Sequence, residues 1–198
     1  MKLRRTILAV AGLIILTHGG AEAAALTVIN VGAPKINCVF NPICSVIVND
    51  SVGSLTYTPL GAGTFLQSRT YSGAAGTPAT GATAYEYRLD LTQGDKYSDC
   101  IGGLVMNFGS VLKLPYGANN TQGHVFVVTQ GGLGSVGIKS AEQDGDVIIF
   151  TFDKFLCAGQ TTYFFGLAAI KPPVNTSAVL FGIGATPFIP VGARVPQH

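Results

Sequence analysis

Short segments with the length of β-strands recur along most of the chain. In each segment, apolar residues either alternate with polar ones or run together, and glycine, proline, asparagine or aspartate bounds the segment. This pattern indicates strands, because an amphipathic helix repeats its apolar positions every three to four residues. About ten such segments predict an all-β fold, a single antiparallel β-sandwich of jelly-roll or immunoglobulin-like type. The segments are LTVINV, CSVIVND, SLTYTPL, FLQSRTYS, YEYRLDL, GLVMNFGSVLKL, HVFVVTQ, DVIIFTF, TTYFFGLAAI and SAVLFGI.

The connections between these segments carry residues typical of turns. DGD, at 144–146, is a hairpin signal, and the glycine and asparagine residues of YGANNTQG mark another reversal. The segment SGAAGTPATGATA contains only small residues, which bury little surface. We therefore expect this segment to form a mobile surface loop between two strands.

The first 25 residues have the pattern of a bacterial secretory signal. Three basic residues precede an apolar run at 6–17, and small residues around Ala23 suit cleavage. The run is too short to span a bilayer, which needs about 20 residues. We predict a signal peptide over 1–25 and a single all-β domain over 26–198, with an extended, proline-containing C-terminal tail. The mature protein is expected to be secreted or periplasmic, with no membrane span after cleavage.

Removal of the predicted leader changes the charge balance. It contains three of the 12 basic and one of the 10 acidic residues, which leaves nine of each in the mature chain. The remaining basic residues are scattered singly along the sequence. Because nucleic acids and anionic membranes are bound through basic patches, we expect neither as a partner.

All four cysteines lie beyond the predicted leader, and an even number in an oxidising compartment predicts two disulfides. Three pairings are possible. Turn-forming residues between Cys38 and Cys44 favour that pair, which leaves Cys100 with Cys157. A zinc site is the alternative use of four cysteines, but no C-x-x-C pair supports it.

The stretch GLGSVG has the G-x-G-x-x-G spacing of a dinucleotide-binding turn, through Gly132, Gly134 and Gly137. In that turn a helix must follow the glycines, because its N-terminus binds the pyrophosphate. Here only IKSAEQDGD, interrupted by Gly145, separates the glycines from the next predicted strand. We therefore interpret the stretch as a glycine-rich strand connection and expect no cofactor.

No complete catalytic set is visible in the sequence. His124 is the only histidine of the mature chain besides the terminal His198, and its position at the start of a strand is typical of a surface histidine. Two carboxylates could hydrolyse glycosides if they lay about 5 to 10 Å apart. Glu86 and Asp90 are about 13 Å apart along one strand, so a neighbouring strand would have to supply a partner. We assign no catalytic residue and keep His124 as a candidate ligand contact.

An acidic cluster in EQDGD, formed by Glu142, Asp144 and Asp146, is the candidate metal site. Carboxylate oxygens of this kind bind Ca²⁺. The EF-hand spacing is absent, however, and aspartates in hairpin turns commonly accept hydrogen bonds from their own backbone. We therefore interpret these acidic residues first as turn residues and second as metal ligands.

The segment YEYRLDL separates two sets of side chains onto opposite faces of one strand. The apolar set is Tyr85, Tyr87, Leu89 and Leu91, and the charged row is Glu86, Arg88 and Asp90. We expect the apolar set to face the core and the charged row to face solvent. Arg69 is expected on the adjacent strand, where an opposite charge adds stability. The second interpretation is a ligand groove with the charged row as its floor and Tyr85 as a further contact.

Three parts of the chain, YEYRLDL, HVFVVTQGGLGSVG and YFFGLA followed by KPP, resemble a group of secreted bacterial proteins to which no function is assigned. The resemblance covers most of the mature chain. It implies export and an all-β domain, and it implies no site residues.

Two classes of function fit these patterns. The first is an exported, non-enzymatic binding or structural module of the periplasm or cell surface, whose partner is a surface protein, a polysaccharide or another copy of itself. The segments DVIIFTF and TTYFFGLAAI are apolar on both faces, so either loops or another chain must cover one face. The alternative class is a carboxylate-dependent hydrolase that acts on polysaccharide.

Overall fold

The computed structural model is built from twelve β-strands and one short α-helix over the residues it describes, which are 23–55, 60–95, 99–182 and 188–198. Positions 1–22, which hold most of the predicted signal peptide, lie outside these residues, as does the middle of SLTYTPL. The strands are β1 (Ala24–Leu26), β2 (Val28–Gly32), β3 (Asn49–Ser54), β4 (Phe65–Ser72), β5 (Thr83–Asp90), β6 (Ile101–Asn107), β7 (Val125–Gln130), β8 (Ile138–Asp144), β9 (Val147–Leu156), β10 (Phe165–Ala169), β11 (Pro173–Gly182) and β12 (Ile189–Pro196), and the helix is α1 (Asn37–Phe40).

The strands form two six-stranded sheets. Sheet A has the order β1-β8-β9-β6-β11-β12, and sheet B has the order β2-β7-β10-β5-β4-β3. All neighbouring pairs are antiparallel except β2 and β7, which are parallel. This exception to the predicted antiparallel pairing is possible because α1 and four strands separate β2 from β7 along the chain, and a parallel pair needs a long crossover connection.

The inner faces of both sheets contribute to one hydrophobic core. On β5, Tyr85, Tyr87 and Leu89 have no exposed surface, which confirms that the apolar set of YEYRLDL faces the core. Phe150 of sheet A meets Phe165 of sheet B across this core, with ring centroids 5.0 Å apart. The hydroxyls of the two buried tyrosines each donate a hydrogen bond of 2.6 Å to a backbone carbonyl, so their polar atoms are satisfied.

A second hydrophobic cluster covers the outer face of sheet B. At its centre is Phe40 of α1, whose ring centroid lies 5.1 Å from that of Tyr71 and 6.5 Å from that of Phe126. Both partner rings belong to strands of sheet B. This coverage explains why every residue of β10 is buried, and it shows that parts of the same chain cover the second apolar face of TTYFFGLAAI.

The segment 73–82 packs on this second cluster and does not form the loose surface loop that the sequence predicts. The Gly73 N–H donates to the Ala82 carbonyl at 2.8 Å, and the Ala79 N–H donates to the Val39 carbonyl at 3.3 Å. Both alanines are buried. The small residues permit this packing, because a Cβ on Gly73 would lie 1.8 Å from the carbonyl oxygen of Ala79.

The two predicted disulfides are confirmed, with the favoured pairing. Cys38–Cys44 closes the turn after α1, and Cys100–Cys157 joins the residue before β6 to the residue after β9. No cysteine of the described chain is free. Two disulfides fit an extracellular or periplasmic location. Within the described ranges, no helix has the length and hydrophobicity needed to cross a membrane.

Two strands form wholly outside the predicted segments, and most of β1 and half of β3 also lie outside them. IKSAEQD forms β8 and pairs with β9 across Gly145, which has φ of +57° and confirms the DGD hairpin. The predicted C-terminal tail forms β12 at the edge of sheet A, a position that tolerates Pro190 and Pro196 because an edge strand has one side without ladder hydrogen bonds. By contrast, residues 44–48 of CSVIVND are not a strand, and their valines pack against the second cluster.

Candidate binding cavity on the outer face of sheet B

A cavity of about 250 Å³ opens on the outer face of sheet B, and we call it the outer cavity. Its floor is formed by residues of sheet B and by the residue that precedes β10. Its walls come from the chain between β2 and β3 and from the turn after β7. The floor residues are Arg69, Tyr71, Glu86, Val128 and Phe164, and the wall residues are Ala33, Ile36, Asn37, Val46, Val48, Gly131, Gly132 and Leu133.

The strand register places three charged residues in one row across sheet B. Arg69 on β4 lies opposite Glu86 on β5, and on its other side it lies opposite Asp50 on β3. Because successive side chains of a strand point to opposite faces, the burial of Tyr85 and Tyr87 in the inner core directs Glu86 outward. The expected position of Arg69, beside the charged row on the adjacent strand, is confirmed.

Arg69, at the floor of the outer cavity, bridges the carboxylates of Glu86 and Asp50, of which only Glu86 lines the cavity. Its Nη1 is 3.2 Å from Glu86 Oε2, and its Nε is 3.5 Å from Asp50 Oδ1. The side chain of Glu86 is 7% exposed and that of Asp50 is 47% exposed, so the pair with Glu86 is the one shielded from water. The Arg69 guanidinium also lies over the ring of Phe164, with Cζ 4.7 Å from the ring centroid, which is a cation–π contact.

Two ionisable groups of the floor have raised pKa values. Burial raises the pKa of Glu86 to about 7, and the negative charge of Asp50 adds to this effect, whereas Arg69 opposes it. Burial also raises the pKa of Tyr71 well above its ordinary value, so its hydroxyl stays protonated near neutral pH. Among the described residues, this buried hydroxyl has no hydrogen-bond partner. The floor therefore holds a carboxyl group that titrates near neutrality beside a hydroxyl group able to bind a ligand.

Replacing Glu86 with glutamine is expected to remove part of the pH dependence of stability. Folding raises the pKa of this carboxyl group from 4.5 to about 7, so between these values the folded state holds a proton that the unfolded state has released. The free energy of unfolding therefore falls as the pH rises through this window. Below the window the carboxyl group is protonated in both states and does not lower the stability. The total effect is about 3 kcal/mol.

Denaturant unfolding of the wild type and of Glu86→Gln across the same pH range measures this effect. Because the two proteins share all other titratable groups, the difference between their free energies of unfolding reports the titration of Glu86. We expect the stability of the variant relative to the wild type to rise by about 3 kcal/mol from acid to neutral pH. A difference that stays constant across the range would show that Glu86 titrates as an ordinary exposed carboxyl group.

Glu86 is the only member of the charged row that lines the outer cavity. Arg88 pairs instead with Asp90, at 3.3 Å between Nη2 and Oδ2, and it also lies over the ring of Phe164. Glu86 and Asp90 are both buried, so the prediction of a solvent-facing row is wrong. The physical reason is that other parts of the chain, including Phe164, pack over most of this face and leave the outer cavity as its opening. Tyr85 faces the inner core and cannot contribute a contact to the cavity.

The remaining predicted candidates lie away from the outer cavity. His124 Nδ1 accepts a hydrogen bond of 3.0 Å from the backbone N–H of Thr27, and burial lowers the pKa of this histidine. It therefore connects the start of β7 to the residue before β2. Glu142, Asp144 and Asp146 are exposed on the β8–β9 hairpin. In the part of the chain that the structure describes, no three metal-ligating side chains are grouped closely enough to hold an ion.

The glycines of GLGSVG do not form a dinucleotide-binding turn. Strand β8 follows them, whereas that turn requires the N-terminus of a helix at this point. Gly134 has φ of +122°, and a Cβ there would lie 2.4 Å from the carbonyl oxygen of Thr162. Gly132 contributes its backbone to the wall of the outer cavity. The glycines thus allow close backbone packing, and one of them shapes the cavity.

Neither Tyr71 nor Phe164 can be recognised as a site residue from the sequence. Both look like ordinary strand aromatics, and the valines of the cavity wall look like part of a strand. The sequence does contain one indication for Tyr71. It follows Arg69 by two positions on β4, so the two side chains must lie on the same face of the strand. Its place beside Glu86 could therefore be predicted once Arg69 was paired with the charged row.

Comparison with known proteins adds no functional assignment to this geometry. The function therefore has to rest on the residues of the outer cavity and on the fold that positions them. No protein-family model, curated protein or solved structure matches the chain.

Proposed function

We propose that the protein is an exported, non-enzymatic binding module of the periplasm or cell surface and that the outer cavity is its binding site. The observation that carries this proposal is the buried Tyr71 hydroxyl at the floor, which has no partner among the described residues. A buried polar group without a hydrogen bond costs about 1 to 3 kcal/mol, and a ligand can supply the missing partner. Apolar walls around a few polar groups are typical of small-molecule sites.

Two features support export. The first 25 residues have the pattern of a signal peptide, and disulfides persist outside the reducing cytosol. The resemblance to secreted bacterial all-β proteins agrees with both features. Within this proposal the parts of the two sheets that lie in 26–198 form a single sandwich domain, because the inner faces share one core; of β1, only Leu26 lies in this range.

The size of the outer cavity restricts the partner. A cavity of about 150 Å³ accommodates benzene, and the outer cavity has about 250 Å³. It can hold one small molecule, or one group of a larger partner such as a side chain of a surface protein or of another copy of the chain. A polysaccharide could place no more than one sugar unit in it.

A carboxylate-dependent hydrolase acting on polysaccharide is the second candidate, and one observation favours it. Asp50 supplies a second acid from another strand, and Glu86, with a pKa of about 7, has the protonation behaviour of a general acid. However, the Arg69 guanidinium contacts both carboxylates. It occupies the space that a sugar and a water molecule would need, so binding is favoured over hydrolysis.

A cavity-filling substitution tests the proposed site. Val48 lines the cavity, whereas the adjacent Ile47 is 95% exposed and is absent from its walls. We expect Val48→Trp to abolish binding of small organic fragments that bind the wild type, detected by saturation-transfer NMR. Ile47→Trp is the matched control, because it adds the same ring one position away and should retain the binding.

The outcome separates the two candidate functions. Fragments that bind both variants equally would contradict the outer cavity as the site. Release of reducing sugar from polysaccharides by the wild type, lost in Glu86→Gln and in Asp50→Asn, would replace the binding function with the hydrolase. Thermal unfolding of each variant confirms that the comparison is made between folded proteins.

A further inference from the structure

We propose that the ligand of the outer cavity is a small neutral molecule with an apolar body and one hydroxyl group. This inference rests on the proposed function and deepens it by assigning the chemical class of the ligand. Three properties of the cavity carry the assignment: the character of its walls, the charge balance of its floor and the hydrogen-bonding groups between them.

The walls require an apolar body. Ile36, Val46, Val48, Val128 and Leu133 present aliphatic side chains to the cavity. Burying apolar surface against them contributes about 25 cal/mol per Å². By comparison with the cavity of about 150 Å³ that accommodates benzene, the outer cavity has room for a body of about ten non-hydrogen atoms.

The floor disfavours a charged ligand. Within the cavity lining, the positive charge of Arg69 is paired with Glu86 at 3.2 Å. The second carboxylate, Asp50 at 3.5 Å, lies outside the lining and is 47% exposed, so water screens its charge. An anion would have to approach Glu86, and a cation would have to compete with Arg69 for it, so neither would find an unpaired counter-charge in the lining to offset the loss of its own hydration. A neutral ligand avoids this penalty.

The hydrogen-bonding groups favour a hydroxyl. The Tyr71 hydroxyl is buried and has no partner among the described residues. Glu86 accepts the hydrogen bond of Arg69 through Oε2, and its second oxygen, Oε1, can accept one from a ligand. A hydroxyl group both donates and accepts, so it can donate to Glu86 Oε1 and accept from Tyr71 Oη. An apolar ligand of the same shape would leave the Tyr71 hydroxyl without a partner.

Four probes that share one aromatic ring test the assignment by isothermal titration calorimetry at pH 8, where Glu86 is mainly ionised. The probes are benzyl alcohol, toluene, benzoate and benzylamine. We expect benzyl alcohol to bind about three- to ten-fold more tightly than toluene, in line with one or two net hydrogen bonds. Benzoate and benzylamine are expected to bind at least about ten-fold more weakly than benzyl alcohol.

Tyr71→Phe isolates the polar contact, because it removes the hydroxyl and keeps the ring that packs on Phe40. We expect the variant to bind benzyl alcohol about three- to ten-fold more weakly and toluene with unchanged affinity. Equal affinity of the wild type for benzyl alcohol and toluene, or tightest binding of a charged probe, would overturn the ligand class and leave the cavity as the binding site. Binding of no probe, or binding that Val48→Trp does not abolish, would overturn the site itself together with the ligand class.

Discussion

Replacing Arg69 with alanine is expected to lower the free energy of unfolding by about 3 to 5 kcal/mol at neutral to alkaline pH, which is the effect of breaking a buried ion pair by removing one partner. The substitution leaves the Glu86 carboxylate, with 7% of its side chain exposed, without its counter-charge. It also removes the guanidinium that packs on Phe164. Chemical denaturation of the wild type and the variant at pH 8 measures the loss.

Two further measurements attribute this loss to the uncompensated carboxylate. In the Arg69→Ala background, Glu86→Gln removes the charge and should restore about half of the lost stability or more, as expected for coupled neighbours. Lowering the pH below the pKa of Glu86 should likewise reduce the effect of Arg69→Ala. A loss below about 1 kcal/mol at pH 8 would mean that water screens the pair as it screens an exposed salt bridge.

Replacing Cys100 and Cys157 together with serine is expected to lower the free energy of unfolding by about 4 kcal/mol. The bond closes a loop with a sequence separation of 57, and in the chain-entropy model this constraint restricts the unfolded chain. The bond also links β6 to β9 at one end of this antiparallel pair, at the centre of sheet A.

The second disulfide supplies the control for this prediction. Cys38 and Cys44 are separated by 6 positions, so their joint replacement with serine is expected to cost about 2.4 kcal/mol. Equilibrium unfolding of both double variants at the same pH gives the comparison. Equal losses, or a larger loss from the short loop, would contradict the dependence on loop length.

The inner face of β5 could be predicted from the sequence, but the state of its outer face could not. Alternation in YEYRLDL places Tyr85, Tyr87 and Leu89 on one side, and burial of that side needs only a second sheet. The opposite side is covered by segments distant in the sequence: Phe164 packs on Arg69 and Arg88, and Thr161 pairs with Asp90. Strand periodicity carries no information about which distant segment covers a face, so Glu86 and Asp90 looked solvent-exposed.

The missed strands have a similar explanation. IKSAEQD forms β8 although five of its seven residues are polar, because pairing with β9 across the Gly145 turn supplies its hydrogen bonds. β12 contains two prolines and is stable only at a sheet edge. Local sequence does not reveal which segment occupies an edge, since that depends on the complete strand order.

The candidate site could be predicted in part. Glu86 and Arg69 follow from charge pairing between adjacent strands, and Tyr71 follows from its spacing to Arg69. Phe164 and the valines at 46 and 48 come from other parts of the chain and meet the row only in the folded protein. A cavity is created by tertiary packing, so its existence could not be deduced from any segment alone.

Diffraction from crystals soaked with para-bromobenzyl alcohol tests most directly whether the outer cavity is the binding site. The bromine atom gives an anomalous signal that locates the probe without reference to the fitted protein coordinates. We expect one main bromine peak among the aliphatic walls of the outer cavity, with the hydroxyl of the probe between Tyr71 and Glu86. A main peak elsewhere, such as the cavity beside Phe108 and Ile170, with none in the outer cavity, would contradict it.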